Sequence, residues 1–492
     1  MKQISFSERQ RDRFLPLLLS FFLMTIGSMT SPLFPLHTWV DQNCFLSVAK
    51  MWLAGRIPYR DVFEQKGPLL YLLHIPAAAF PALRFFGVYI IQIALWYAIF
   101  RVAAKISDLY LPHNKHLLTA SLSGLITVCS YCYSRGDNAE EFCLLPVMLS
   151  LYALLKSVRE NTFSMKMHDF LIHGFLAGTV LWIKFSMLGF YIGWCLCAGI
   201  LLWRDRNFLA ALRAGCCFLG GMLLTALPWM LYFGCNNALD DLVNVYFFSN
   251  ATLYPRKIRF TQFILNFFAK DIGWNPILML PLLGGMIAYM LKSSNLREKL
   301  VALVPLCSLY LFVFIGGVRY RYYLLILAAF LPFSIAQLLL VLPQRFQKLT
   351  RAKYCLLWIA SLLLFGNCAH YLVKPWNSYP QVQFAAMIPE NSVLLNYGFL
   401  DGGFALMSDA DFPQGRYFCK VNIARDMLPE MYEAQEQTIL NREADFVVIR
   451  WEPKKESVTD KYNFAPFFEY YEEIATAEET HDHYRYALYQ LK

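Results

Sequence analysis

The stretch DQNCFLSVAKMWLAGRIPYRDVFEQKGPLLYLL, Asp41 to Leu73, decides how the rest of the chain is read. It follows an apolar run, Phe14–Leu36, that is long enough to cross a bilayer, yet it carries two Asp, one Glu, two Arg and two Lys. Phe45, Val48, Ala49 and Trp52 recur at helical spacing and Gly55 supplies a stop, so Asp41–Ala54 is expected to be an amphipathic helix lying in the interface, with its charged face to water. GRIPYRD then reads as a turn. Pro68 opens a second short helix, and Lys66 stands just before its N-terminus, where an anion is favoured.

Outward from this loop the composition sets the class. Of 492 residues 57% are hydrophobic and 16% charged, against about 25% charged in ordinary soluble chains. The fold class is therefore a polytopic α-helical membrane protein. The net charge of +9 is spread singly between apolar runs, which fits loops between helices and excludes a dense nucleic-acid stripe. The 13 Cys fall mostly inside apolar segments and read as core thiols, neither a disulfide framework nor a zinc site. Met1–Arg13 is basic, and the run after it lacks a cleavage signal, so it is expected to stay as a first span.

A span needs about 20 apolar residues. On that measure about eleven helices are expected, near Phe14–Leu36, Phe86–Lys105, Leu117–Tyr133, Phe142–Lys156, Phe170–Lys184, Met187–Trp203, Ala211–Phe233, Trp274–Leu291, Leu300–Gly316, Tyr322–Leu342 and Tyr354–Val373. Pro68–Phe80 is a further short or re-entrant element. Alternate loops are basic, so the N-terminus is expected in the cytoplasm. Everything after Lys374 then lies outside, where SVLLNYG, RYFCKV, ADFVVIRW and YRYALYQL read as strands, and IARDMLPEMYEAQEQTILNRE and FAPFFEYYEEI as helices. The expected domains are a transmembrane catalytic domain, 1–373, and a small periplasmic or extracellular α/β domain, 374–492.

This topology leaves Lys50, Arg56, Arg60, Lys66, Arg135, Lys184, Arg256, Lys257, Arg259, Arg319 and Arg321 on the outer side, where the insertion rule gives them no role. Singly they could snorkel or pair with acids. Together they suit a vestibule that gathers phosphate. Asp41 reads either as a helix N-cap or as a carboxylate set beside those cations. SRGDNAEEF adds Arg135, Asp137, Glu140 and Glu141, which could bind sugar or acceptor hydroxyls, hold a metal, or balance Arg135. Tyr-rich segments suit sugar stacking or an interface belt. Lys184 reads as a helix-end snorkeller or a vestibule cation.

The acidic residue after the first span, the GRIPY turn and KGPLLYLL, together with GGVRYRYYLLILAAFLPF, resemble bacterial membrane glycosyltransferases of the glycosyltransferase-C superfamily, the family 39 and aminoarabinose-transferase-like group. The resemblance covers about Phe14–Pro332. It implies inverting sugar transfer from a polyprenyl-phosphate donor, such as undecaprenyl phosphate, to a glycan, lipid or protein acceptor at the outer face of the bacterial cytoplasmic membrane. Asp41 would be the base and Lys66 the phosphate contact, joined by Arg56, Arg60, Arg319 and Arg321, with Tyr59, Arg135, Asp137, Glu140 and Glu141 toward sugar or acceptor. Relatives often carry Asp-Glu where this chain has Asp41-Gln42, which leaves a divalent metal open. The rival readings are a transporter or flippase for lipid-linked saccharides, and a glycan polymerase or ligase.

Overall fold

A computed structural model describes residues 6–159, 163–253, 259–342, 351–479 and 483–492. A helix occupies the greater part of each of the eleven apolar segments. By length and composition four of them are able to cross a membrane, Phe86–Asp108, Phe185–Asp205, Phe208–Cys235 and Arg321–Val341; Phe260–Ile272 with Pro276–Lys292, bent by 111°, makes a fifth if counted as one span. The others are shorter or more polar, so the expected eleven spans are not reached on this measure. The first helix is Phe6–Gly27, and 28–38 is irregular. Pro32 and Pro35 explain the early stop, since each lacks an N–H and biases its predecessor away from helix. Arg256, Lys257 and the basic loop 343–350 lie outside the described residues.

The chain forms two compact units. The first comprises Met1–Ser28, Tyr89–Tyr232 and Pro255–Ala369. It is a helix bundle in which 321–341, buried from Leu324 to Gln337, is the central element. Pro276–Lys292 packs along Leu331–Val341 so closely that a Cβ on Gly285 would collide with the Ser334 carbonyl. At the rim, Phe208–Cys235 turns Leu212, Leu219, Leu223, Leu227 and Leu231 outward. Four of these stand four residues apart, a continuous apolar row of the kind that lipid covers.

The second unit comprises Met29–Val88, Phe233–Tyr254 and His370–Lys492. Its sheet has the order β1-β2-β4-β3, with β1 (Leu394–Asn396) parallel to β2 (Phe446–Trp451), and β4 (Tyr484–Leu491) antiparallel to both β2 and β3 (Tyr471–Glu479). Leu395, Val447, Ile449, Ala487 and Tyr489 meet Ile439 and Phe467 in one core. Three expected strands are present. RYFCKV is not a strand; it runs irregularly, with Cys419 buried 3.9 Å from Cys44. The expected long helix begins only at Pro429, where proline suits the first helical position. FAPFFEYYEEI is helical to Tyr470 and then becomes β3.

The tail does not stand apart from the first loop. Helix Val40–Leu53 gives Ser47 Oγ to Asp401 at 2.5 Å and Lys50 Nζ to the Ala410 carbonyl at 3.1 Å. Gly403, at φ +78°, approaches Asn43 closely enough that a Cβ would sit 2.8 Å from its amide nitrogen. Gln42, Asn43 and Ser47 are consequently as buried as Phe45 and Val48. The helix expected to show a wet face is instead enclosed on nearly every side, because tail carbonyls and carboxylates meet its polar groups.

Candidate functional site

In the second unit the two short helices flank the turn that carries the first-loop charges. Asp41 is the second residue of helix Val40–Leu53, whose N-cap is Trp39, so it is not the cap. It gains from the helix dipole there. It is half-buried and makes no hydrogen bond or ion pair among the described residues. Pro68–Ala78 begins with Gly67 as N-cap, which puts Lys66 one residue before it, as expected.

Lys66 is held from several sides. Its Nζ lies 3.2 Å from Glu64 Oε1 and 5.4 Å above the Phe45 ring, and its backbone N–H donates to Glu64 Oε2 and to the Tyr71 hydroxyl oxygen, both at 2.9 Å. The Tyr71 hydroxyl also bonds Glu64. Burial pushes the Glu64 carboxyl upward, but the Lys66 charge and these donors outweigh it and hold Glu64 below the usual carboxylate range. Glu64 is therefore an anion, and it fixes the ammonium. Phe45 is one helical turn after Asp41, and residues four apart share a helix face about 5–6 Å apart.

The remaining first-loop candidates are tied to the protein itself. Arg56 donates to the carbonyls of Asp61, Pro413, Gln414 and Gly415 at 2.7–3.2 Å, which makes it a fastener between loop and tail. Arg60 forms a two-point pair with Asp61 at 2.8 and 2.9 Å and donates to the Asn236 carbonyl. Tyr59 is fully buried at φ +69° among Tyr71, Phe233 and Tyr246, and gives its hydroxyl to the Lys66 carbonyl at 2.7 Å. A ring so enclosed shapes the loop and cannot stack on a sugar.

The first unit gathers the other candidates. Between Tyr133 and Asn138 the backbone turns sharply, with positive φ at Ser134, Gly136 and Asp137. Gly136 is required there, because a Cβ would strike the Ser28 hydroxyl. Arg135 and Asp137 are buried in this turn. Glu141 accepts from Trp96 Nε1 at 2.6 Å, Asp137 N at 2.7 Å, Gln92 Nε2 at 2.9 Å and the Tyr133 hydroxyl at 3.1 Å, so it staples the turn. Glu140 pairs with Lys184, whose Nζ lies 3.9 Å over the Tyr323 ring. Glu140 is thus engaged by Lys184, and among the described residues Asp137, Glu140 and Glu141 do not form a group of three that could hold a metal ion.

Arg319 is likewise spoken for. It pairs with Asp271, which also accepts from the Tyr310 hydroxyl at 2.5 Å, and it lies against the rings of Phe314 and Phe263. Arg321 reaches Ser134 Oγ at 2.9 Å and covers the Tyr131 ring at 4.6 Å. Sequence reasoning missed Glu64, Asp271 and Asp401. Only Glu64 had a local signal, its two-residue spacing from Lys66.

No protein-family model matches the chain, and no curated protein does. Among solved structures, ArnT from Cupriavidus metallidurans bound to undecaprenyl phosphate is similar over 99% of this chain and 98% of its own, at 12% identity and a TM-score of 0.60. The same protein in the apo state gives 0.60 over 97% of each chain, also at 12% identity. The Archaeoglobus fulgidus oligosaccharyltransferase in complex with Zn and sulfate reaches 0.46 at 10% identity, over 93% of this chain and 71% of its own. A helical bundle, a compact first loop and a mixed α/β tail, matched along nearly the whole chain, give this chain the ArnT fold, the one implied by its resemblance to the glycosyltransferase-C superfamily.

Proposed function

We propose that the protein transfers a sugar from a polyprenyl-phosphate-linked donor to an acceptor at the outer face of the cytoplasmic membrane, with inversion. One observation carries the reading: Asp41, open and half-buried, lies one helical turn from the Phe45 ring over which Lys66 is held. The ArnT structure matched along nearly the whole chain contains undecaprenyl phosphate, a carrier of the required chemistry.

The division of labour follows from the groups. A lipid phosphate is a fair leaving group, so the protein has to orient an acceptor hydroxyl opposite it, take up one proton and offset the charge that grows on phosphate. Asp41 accepts the proton. Lys66 meets the phosphate, and Glu64 with Tyr71 positions Lys66. Arg56, committed to four carbonyls, is left out of the phosphate contact, and Arg60 and Arg319 already face carboxylates.

Washed membranes given labelled polyprenyl-phosphate sugar test this. Release of lipid phosphate coupled to sugar transfer, lost in Asp41→Asn, is expected. Translocation of intact donor without bond cleavage would replace the enzyme with a flippase.

A further inference from the structure

We propose that Asp12, His113 and His116 bind a divalent transition-metal ion of the zinc class, with Asp108 supporting the two imidazoles from behind. The site belongs to the first unit, at the end of helix His116–Cys129 remote from the Tyr131–Ser134 turn.

The local fold prepares it. Pro112 leads into a 3₁₀ turn, His113–Lys115, and residues three apart eclipse one another in that geometry. The rings of His113 and His116 therefore stack, with centroids 4.0 Å apart and planes 22° from parallel. His113 Nδ1 faces both oxygens of Asp108, at 3.1 and 3.2 Å, and His116 Nδ1 bonds the His113 carbonyl. A carboxylate and a carbonyl only accept, so each Nδ1 carries hydrogen. In the neutral rings both Nε2 atoms are then lone-pair ends.

Those ends meet one anion. His113 Nε2 is 3.1 Å from Asp12 Oδ2, and His116 Nε2 is 3.4 Å from Asp12 Oδ1. Two lone pairs turned toward a carboxylate repel it unless a cation lies between them. Bonds of about 2.0–2.1 Å to a tetrahedral zinc place ligand atoms about 3.3 Å apart, which matches both separations. Among the described residues this is the one group of three such side chains whose ligand atoms all lie within 4.8 Å of one another. His116 is nearly enclosed, with 4% of its side chain exposed, while His113 at 41% leaves an entry path. Two imidazoles and one carboxylate suit zinc, cobalt or nickel better than magnesium or calcium. The Asp108 contact is the carboxylate–histidine arrangement that orients metal ligands. With three protein ligands the ion keeps an open position, and it fastens the first helix to the turn after Asp108.

The full chain, purified in detergent without a histidine tag and stripped with EDTA, is titrated with Co²⁺ as a visible-absorbing probe and then with Zn²⁺. One equivalent of Co²⁺ should give the intense absorption of a four-coordinate site, displaced by Zn²⁺, and Zn²⁺ should raise the unfolding temperature reversibly. Asp12→Asn and the pair His113→Gln/His116→Gln should lose the spectrum and the Zn²⁺-dependent rise. Asp108→Asn should weaken binding by about 10–100-fold. Unfolding temperatures of the metal-free variants separate lost binding from lost folding. Absence of uptake by the unaltered chain, or equal uptake by a folded double-histidine variant, overturns the site in favour of protons shared between His and Asp.

Discussion

In the first unit three buried carboxylates are matched: Glu140 by Lys184, Asp271 by Arg319, and Glu141 by four neutral donors. In the first loop Glu64 and Asp61 are matched in the same way, by Lys66 and Arg60, but Asp41 is not. The residue types are alike, and the difference lies in one carboxylate left open. Buried charges have to be paired because desolvation costs several kcal/mol per ion. A half-buried carboxylate without a protein partner is completed by water or by a ligand, which makes Asp41 the group to test for chemistry and sets it apart from carboxylates already tied into the fold.

Removing the open carboxylate should break the contrast most visibly. Asp41→Asn is expected to lower transfer from a lipid-phosphate sugar by about 10²–10⁴-fold, the share of a general base, with stability reduced by no more than the helix-dipole contribution of about 1 kcal/mol. A rate equal to that of the unaltered protein would take Asp41 out of the mechanism. Next comes Glu140→Gln, which strands Lys184 in the bundle and should cost about 3–5 kcal/mol. Glu140→Gln/Lys184→Met should recover most of that loss in thermal unfolding, and a double variant no better than the single one would deny that the pair acts as a unit.

Glu64→Gln sharpens the comparison within the first loop. Losing a charge-assisted contact of about 1.5 kcal/mol should raise the donor KM roughly tenfold at near-constant kcat. The folded carboxyl titrates below its ordinary value of 4.5. Its stabilisation is therefore complete above about pH 4.5 and is lost as pH falls through the depressed value. The unaltered protein should lose unfolding temperature on acidification more steeply than Glu64→Gln, and parallel curves would remove Glu64 as the anchor. The smallest effect is reserved for Arg60→Ala. Its pair with Asp61 is 41% exposed on the arginine side, so thermal stability should change by less than about 1 kcal/mol.

What could be read from the chain alone was whatever depends on near neighbours. Apolar runs marked where helices form, because burial of area follows local composition; Pro68 and Gly67 announced a helix start; and alternation in ADFVVIRW and YRYALYQL announced strands. The extent of the first helix failed at Pro32 and Pro35, a local signal overridden in the reading by hydropathy. RYFCKV had a strand's pattern but no strand beside it to complete the hydrogen bonds. Only the tertiary structure decided which charges meet. The Glu140–Lys184 pair spans 44 residues and the Arg319–Asp271 pair 48, and Arg56 finds three of its four carbonyls more than 350 residues away in the tail. Periodicity is a property of a segment, whereas the worth of a charge is set by the dielectric and the partner that folding brings to it. For that reason Asp41 and Lys66 were legible in the chain only as candidates, and only packing showed that Arg56 fastens the loop to the tail and that Asp41 has no partner among the described residues.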